Sequence, residues 1–187
     1  MWMGADIEEY LQTSSVESIF RHAERAGIAA WPLLSQEPTS AHTHIGMFAH
    51  FGTKASSYYF QHMVRSTHLV LYNTNHVHVD IMRPWVECAL APKCISPLGA
   101  ESGGCIQRKP RYLYSGCHRY AESALNVVLG LAFNYDDTEY TLQNYSEIFG
   151  TERTTPSGNN FTIVESTAAN INFSFISTST AFLRSLR

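Results

Sequence analysis

The segment Gly116-Cys-His-Arg-Tyr-Ala-Glu-Ser-Ala-Leu-Asn126 gathers an imidazole, a guanidinium, a carboxylate and an amide directly before a strongly apolar run. That run predicts a helix over 121–133, with His118 and Arg119 at its start. Glu122 and Asn126 then sit one turn apart on the same side. Backbone N–H groups at a helix start, together with Arg119, suit an anionic or sugar ligand. The plainer reading of the same residues is a helix cap with a surface ion pair.

Nine histidines offer a second kind of chemistry. His42-Thr-His44 and His76-Val-His78-Val-Asp80 would each place two imidazoles on one face of an extended segment. Neutral imidazole is a common zinc ligand. His76, His78 and Asp80 resemble the H-x-H-x-D start of metallo-β-lactamase-like hydrolases, and a metal-dependent hydrolase is one reading of them. Ile81 stands where that motif carries a further His, and scattered histidines in loops and a helix start are the other reading. Asp6, Glu8 and Glu9 follow a first short strand, a position where carboxylates can hold Mg²⁺ or Mn²⁺ against a substrate diphosphate. Asp136, Asp137 and Glu139 read as a polar turn after a helix.

The elements that must position these groups are legible from periodicity. Ser14-Ser-Val-Glu17 matches a capping box, and Val16, Ile19, Phe20, Ala23 and Ala26 continue at helical spacing to Gly27. Residues 28–31 read as a buried strand stopped by Pro32. Residues 38–52 read as a loop with a short helix, 56–63 as helical and 69–72 as an apolar strand. A helix over 77–91 must kink or start late at Pro84. A Gly/Pro-rich loop follows over 92–110. Strands alternating with helices predict an α/β fold.

The chain has 187 residues, 44% of them hydrophobic and 16% charged, with a net charge of −3. That composition is globular, large enough for a substantial core, and carries no basic footprint for nucleic acid. No apolar run reaches the ~18–20 residues of a membrane span. The N-terminus reads as an interior strand, without the features of a signal peptide, and suggests a chain whose first half is missing. From residue 151 to 187 the composition turns rich in Ser, Thr and Asn, so the domain is expected over 1–150 with an irregular tail after it.

Cys88, Cys94, Cys105 and Cys117 form no C-x-x-C pair, which counts against a zinc ribbon. Two disulfides suit an even count in loop-rich sequence, and proximity pairs Cys88 with Cys94 and Cys105 with Cys117. Four buried thiols in a cytosolic protein are the alternative. Sequons at Asn144, Asn160 and Asn172 add weight for a secretory or luminal compartment.

Five blocks in this order carry a resemblance: Trp2-Met-Gly-Ala-Asp-Ile7, Thr43-His-Ile-Gly-Met-Phe48, Arg83-Pro-Trp-Val-Glu-Cys-Ala-Leu90, Cys94-Ile-Ser-Pro-Leu-Gly99, and Gly116-Cys-His-Arg-Tyr120 with Ser123-Ala-Leu-Asn126. Over 1–150 the chain resembles an animal domain family of unknown function, expanded in nematodes, that is itself similar to nucleotide-sugar glycosyltransferases of the GT-A fold. The resemblance implies a partial GT-A-like, Rossmann-like mixed sheet with flanking helices, the C-terminal portion of such a domain. It also implies a nucleotide-sugar donor, a glycan or protein acceptor, and Mn²⁺ or Mg²⁺ bound through Asp6. The implied catalytic contacts are His118, Arg119 and Glu122, with Asn126 and His44 binding substrate. The location implied is the secretory pathway or Golgi lumen. Two positions depart from the family pattern: Gly4 stands where it has Asp, and Ala121-Glu122 stands for its Asp-Gln. Those departures favour a non-catalytic remnant or glycan-binding module as the second reading.

Overall fold

A computed structural model describes residues 9–11, 16–33, 35–106, 108–143 and 149–151. Asp6, Glu8, the Ser14-Ser15 cap, the three sequons and the tail beyond Thr151 lie outside the described residues. The fold is mixed α/β, with short antiparallel strand pairs among a larger helical content.

Strand β1 (Glu9–Leu11) pairs antiparallel with β4 (Phe149–Thr151). Helix α1 (Val16–Ala26) follows β1 and ends at Gly27, whose φ of +83° is the left-handed stop that glycine adopts without a Cβ penalty. A Cβ there would also stand 2.8 Å from Val77 Cγ2. Strand β2 (Ile28–Pro32) pairs antiparallel with β3 (Val64–Leu71), with a register shift between Ala30 and Pro32. Ala30 also makes a parallel bridge to Thr141, through Ala30 N–H to Tyr140 O and Leu142 N–H to Ala30 O, both 2.9 Å. This bridge is the parallel element of the described sheets, so an extended mixed Rossmann-like sheet is not what the described strands form.

The pleat of β2 explains how the sheet is covered on both faces. Ala29 and Trp31 pack with Ile19, Ala23 and Val70 beneath α1. Ile28 and Ala30 point the other way, into the main core with Leu69, Leu71, Val77, Ile81 and Trp85. Alternate residues serve opposite faces because the strand repeats every two residues.

The second face is closed by α2 (Ile45–His50), α3 (Arg83–Leu90), α4 (Pro92–Ile95) and α5 (Tyr120–Ala132). A widened π turn over Val77–Met82 leads into α3, and Arg83 N–H reaches back to His78 O. Pro84 is the cause. It lacks an N–H and its ring crowds the carbonyl four residues back, and the extra residue in the turn absorbs the mismatch. Residues 55–58 form a single 3₁₀ turn, shorter than the helix expected over 56–63, because 61–63 run instead into β3.

Helix α5 is the most enclosed element, buried from Ser123 through Gly130. Its polar members meet a buried layer of hydrogen bonds. Tyr58 OH donates to Val127 O at 3.0 Å, and Gln61 Nε2 donates to Asn126 O and to Tyr140 OH, both at 2.9 Å. Burial pushes the Tyr58 and Tyr140 phenols above their usual range.

Cys88 and Cys94 form one disulfide, joining the last turn of α3 to α4. Cys105 and Cys117 form the other and close the loop that precedes α5. Two disulfides are compatible with an extracellular or secretory-pathway location. Among the described residues no helix is long and apolar enough to cross a membrane.

Candidate functional site

The Gly116–Asn126 segment splits into a buried half and an exposed half. His118 is fully buried. Its Nε2 donates to Ile95 O at 3.0 Å, and its Nδ1 accepts from His44 N–H at 3.2 Å. Both ring nitrogens are satisfied by a neutral imidazole. Burial, with the neighbouring His44 ring, holds the His118 pKa below its ordinary value, against the opposing pull of the Ile95 carbonyl. Asn126 is likewise fully buried. Its Nδ2 donates to Val64 O and to Glu122 O, and its Oδ1 accepts from Val64 N–H, all at 2.8 Å.

His118 was expected as a catalytic contact and Asn126 as a substrate contact, but both are enclosed and their polar atoms are spent on backbone. Asn126 acts as a one-residue extension of the sheet, exchanging a pair of hydrogen bonds with the first residue of β3. The shared side predicted for Glu122 and Asn126 is real in backbone terms, since Asn126 bonds the Glu122 carbonyl. The two side chains nonetheless go to different environments.

Arg119 and Glu122 remain partly exposed and pair at 3.2 Å. The chain reaches them through Tyr120, whose φ of +40° is unusual for a residue with a side chain. Arg119 N–H has no carbonyl acceptor within the helix. It donates to His42 O at 3.1 Å and to Ser123 Oγ at 3.1 Å, while Ser123 Oγ donates to His42 O at 2.7 Å. The start of α5 is thereby tied to the 3₁₀ turn Thr39–His42.

His42 lies on that turn, buried, with Nε2 against the Glu37 carboxylate and Nδ1 3.4 Å from Ser115 Oγ. Ser115 Oγ donates to Ala41 O at 2.8 Å and accepts from Cys117 N–H at 3.3 Å. Glu37, Ala41, His42, Ser115 and Arg119 line a cleft of about 210 Å³, completed by Cys105, Arg108, Arg111 and Leu113. Of the residues expected as catalytic or substrate contacts, Arg119 lines this cleft, with Glu122 as its ion-pair partner. Glu37, Arg108, Arg111 and Ser115 had no sequence signal beyond residue type, because they are scattered over 37–115 and only folding brings them together.

His44 is half-buried and caps α2, its Nδ1 accepting from Gly46 N–H at 3.1 Å. Its ring meets Tyr114 edge-on at 5.7 Å. The His42 ring pairs with Glu37 and Ser115 while the His44 ring caps α2 and meets Tyr114, so the two imidazoles of His42-Thr-His44 have separate partners.

His76, His78 and Asp80 lie on a helical turn, which fits the helix-start reading of them and not the extended segment. Thr74 starts that turn by accepting from Val77 N–H at 3.2 Å. Helical spacing pairs His76 Nδ1 with Asp80 Oδ2 at 2.8 Å, while His78 Nε2 meets Asn73 Oδ1 at 2.7 Å. The two imidazoles therefore have separate partners. Among the described residues no group of three His, Cys, Asp or Glu is placed to hold a metal ion. The acidic run after α5 is the polar turn expected. Asp136 caps Thr138, whose hydrogen bonds hold the Asp136 carboxyl below its usual value, and Asp137 accepts from His62 N–H at 2.6 Å.

No family model, curated protein or solved structure matches the chain.

Proposed function

We propose that this chain is a glycosyltransferase-like domain of GT-A type acting in the secretory pathway or Golgi lumen. Its substrates are a nucleotide sugar and a glycan or protein acceptor. The observation that carries the reading is the cleft beside the Gly116–Asn126 segment. The resemblance assigns donor and acceptor contacts to that segment, and its Arg119 lines a cavity shared with Glu37 and His42. In this reading Arg119 faces the negative charge of the donor, and Glu122 holds the guanidinium at the rim through its ion pair. A guanidinium suits this task because its donors match phosphate oxygens two at a time.

The resemblance assigns Mn²⁺ or Mg²⁺ to Asp6, outside the described residues, and the described residues supply no three-ligand group for it.

A specific observation supports a second reading, a non-catalytic binding module. His118 and Asn126 are consumed by the fold, and Ala121 stands where the family pattern has a carboxylate. Calorimetric titration with UDP-sugars, with and without Mn²⁺, paired with an assay for released UDP, separates the two. Saturable binding with UDP release supports the transferase. Saturable binding without release supports the binding module. Absence of binding for every UDP-sugar refutes the transferase and leaves the non-catalytic remnant or glycan-binding module.

A further inference from the structure

Three arginines, Arg108, Arg111 and Arg119, line the cleft, and Glu37 is the carboxylate residue among its lining. That carboxylate is already engaged by the His42 imidazole. The local excess is positive in a chain whose net charge is −3. Arg119 has its partner in Glu122, whereas Arg108 and Arg111 form no ion pair among the described residues. Like charges gathered without counter-charge are unfavourable in the absence of an anion.

These arginines sit on a stitched loop. The Cys105–Cys117 disulfide closes it at its base, and Ile106 N–H donates to Ser115 O at 2.9 Å just inside that link. Ser40 Oγ donates to Tyr112 O at 2.8 Å, and Ser115 N–H to Ala41 O at 2.8 Å, fastening the loop to the 3₁₀ turn. Tyr112 also stacks on Tyr59, with ring centroids 4.3 Å apart. Much of the ordering entropy of the loop is thus lost on folding, before a ligand arrives. A volume near 210 Å³ is smaller than the sites that enclose whole drug-sized ligands and suits one charged group of a larger molecule.

We infer that Arg108, Arg111 and Arg119 form a metal-independent site for a doubly charged phosphoryl group, a diphosphate in particular. The inference takes the cleft as the ligand site of the glycosyltransferase-like reading and names the group it holds. Arg108 and Arg111 carry the affinity, and the Cys105–Cys117 link keeps them on one wall.

The test is calorimetric titration of the oxidised, full-length chain with pyrophosphate in EDTA, compared with UDP and a UDP-sugar. Arg108→Gln/Arg111→Gln is the variant, since both side chains are exposed and their loss leaves the core intact, as near-ultraviolet circular dichroism verifies. Expected are saturable pyrophosphate binding in EDTA, weakening with salt, and a loss of about tenfold or more in the double variant. Pyrophosphate binding that needs Mn²⁺, or that the double variant leaves unchanged, overturns the inference. If pyrophosphate binds through the arginines and UDP-sugars bind no better, the anion site stands and the sugar-nucleotide reading falls. If UDP-sugars bind equally well to the double variant, the sugar-nucleotide reading stands and the arginine site falls.

Discussion

Replacing Asn126 by Leu tests whether this amide is a structural member or a ligand contact. Leu has nearly the same shape but neither donates nor accepts. It would leave Val64 N–H and Val64 O, now bonded to the amide at 2.8 Å each, without partners at a fully buried residue. An orphaned buried group costs about 1–3 kcal/mol, so the two together cost about 2–6 kcal/mol. Burying the additional apolar surface of Leu returns about 1–2 kcal/mol. The net loss expected is about 3 kcal/mol, a large part of the ~5–15 kcal/mol that stabilises a typical domain. Urea unfolding of the oxidised protein reads it directly. With a slope of about 2–3 kcal/mol/M, the midpoint falls by about 1 M or more. Asn126→Asp adds an internal control, because protonation restores a donor toward Val64 O. Its deficit relative to the parent protein, measured at equal pH, is smaller at pH 4 than at pH 7. A midpoint shift below about 0.3 M for Asn126→Leu with unchanged slope, or ligand binding lost at unchanged stability, would refute the structural assignment.

Three further outcomes are expected. Because the His118 pKa is depressed in the fold, the unfolded chain binds more protons as the pH falls. Stability is therefore fully present above about pH 6.5 and declines below it, by at most ~1.4 kcal/mol per pH unit from this one group. Denaturant unfolding between pH 7.5 and 5 shows a flatter slope in His118→Gln if this is right. Gly130→Ala drives a methyl group into the Tyr58 ring and to 2.6 Å from Gln61 Oε1, both in the enclosed layer around α5. It should cost about 1–3 kcal/mol in the same assay, whereas a gain in stability would show that the layer has room. Removing the Cys105–Cys117 link, with its separation of 12 residues, should cost about 3 kcal/mol, and removing Cys88–Cys94, with a separation of 6, about 2 kcal/mol. Paired Ser variants compared by thermal unfolding check that order.

Local physics made much of this protein readable without coordinates. The stripe from Ile19 to Ala26 with Gly27 behind it, the apolar run of α5, the strand before Pro32 and the distortion at Pro84 each follow from spacing, capping or a missing N–H, which neighbouring residues decide among themselves. The nearness in sequence of each cysteine pair pointed to the observed disulfides in the same way. Tertiary structure alone decided what the polar residues do. His118 and Asn126 looked like exposed chemistry because residue type does not report burial, and enclosure by α4, β3 and α5 turned both into backbone partners. His76 and His78 fit a strand pair by period two and a helix start by the spacing over 77–91, and the turn begun at Thr74 decides for the helix. Glu37, His42, Arg108, Arg111 and Arg119 span more than eighty positions, and a cleft with surplus positive charge exists only once the disulfide-closed loop is fastened against the 3₁₀ turn. Sequence determined the elements because they are short-range, and the fold determined the site because its charges are long-range neighbours.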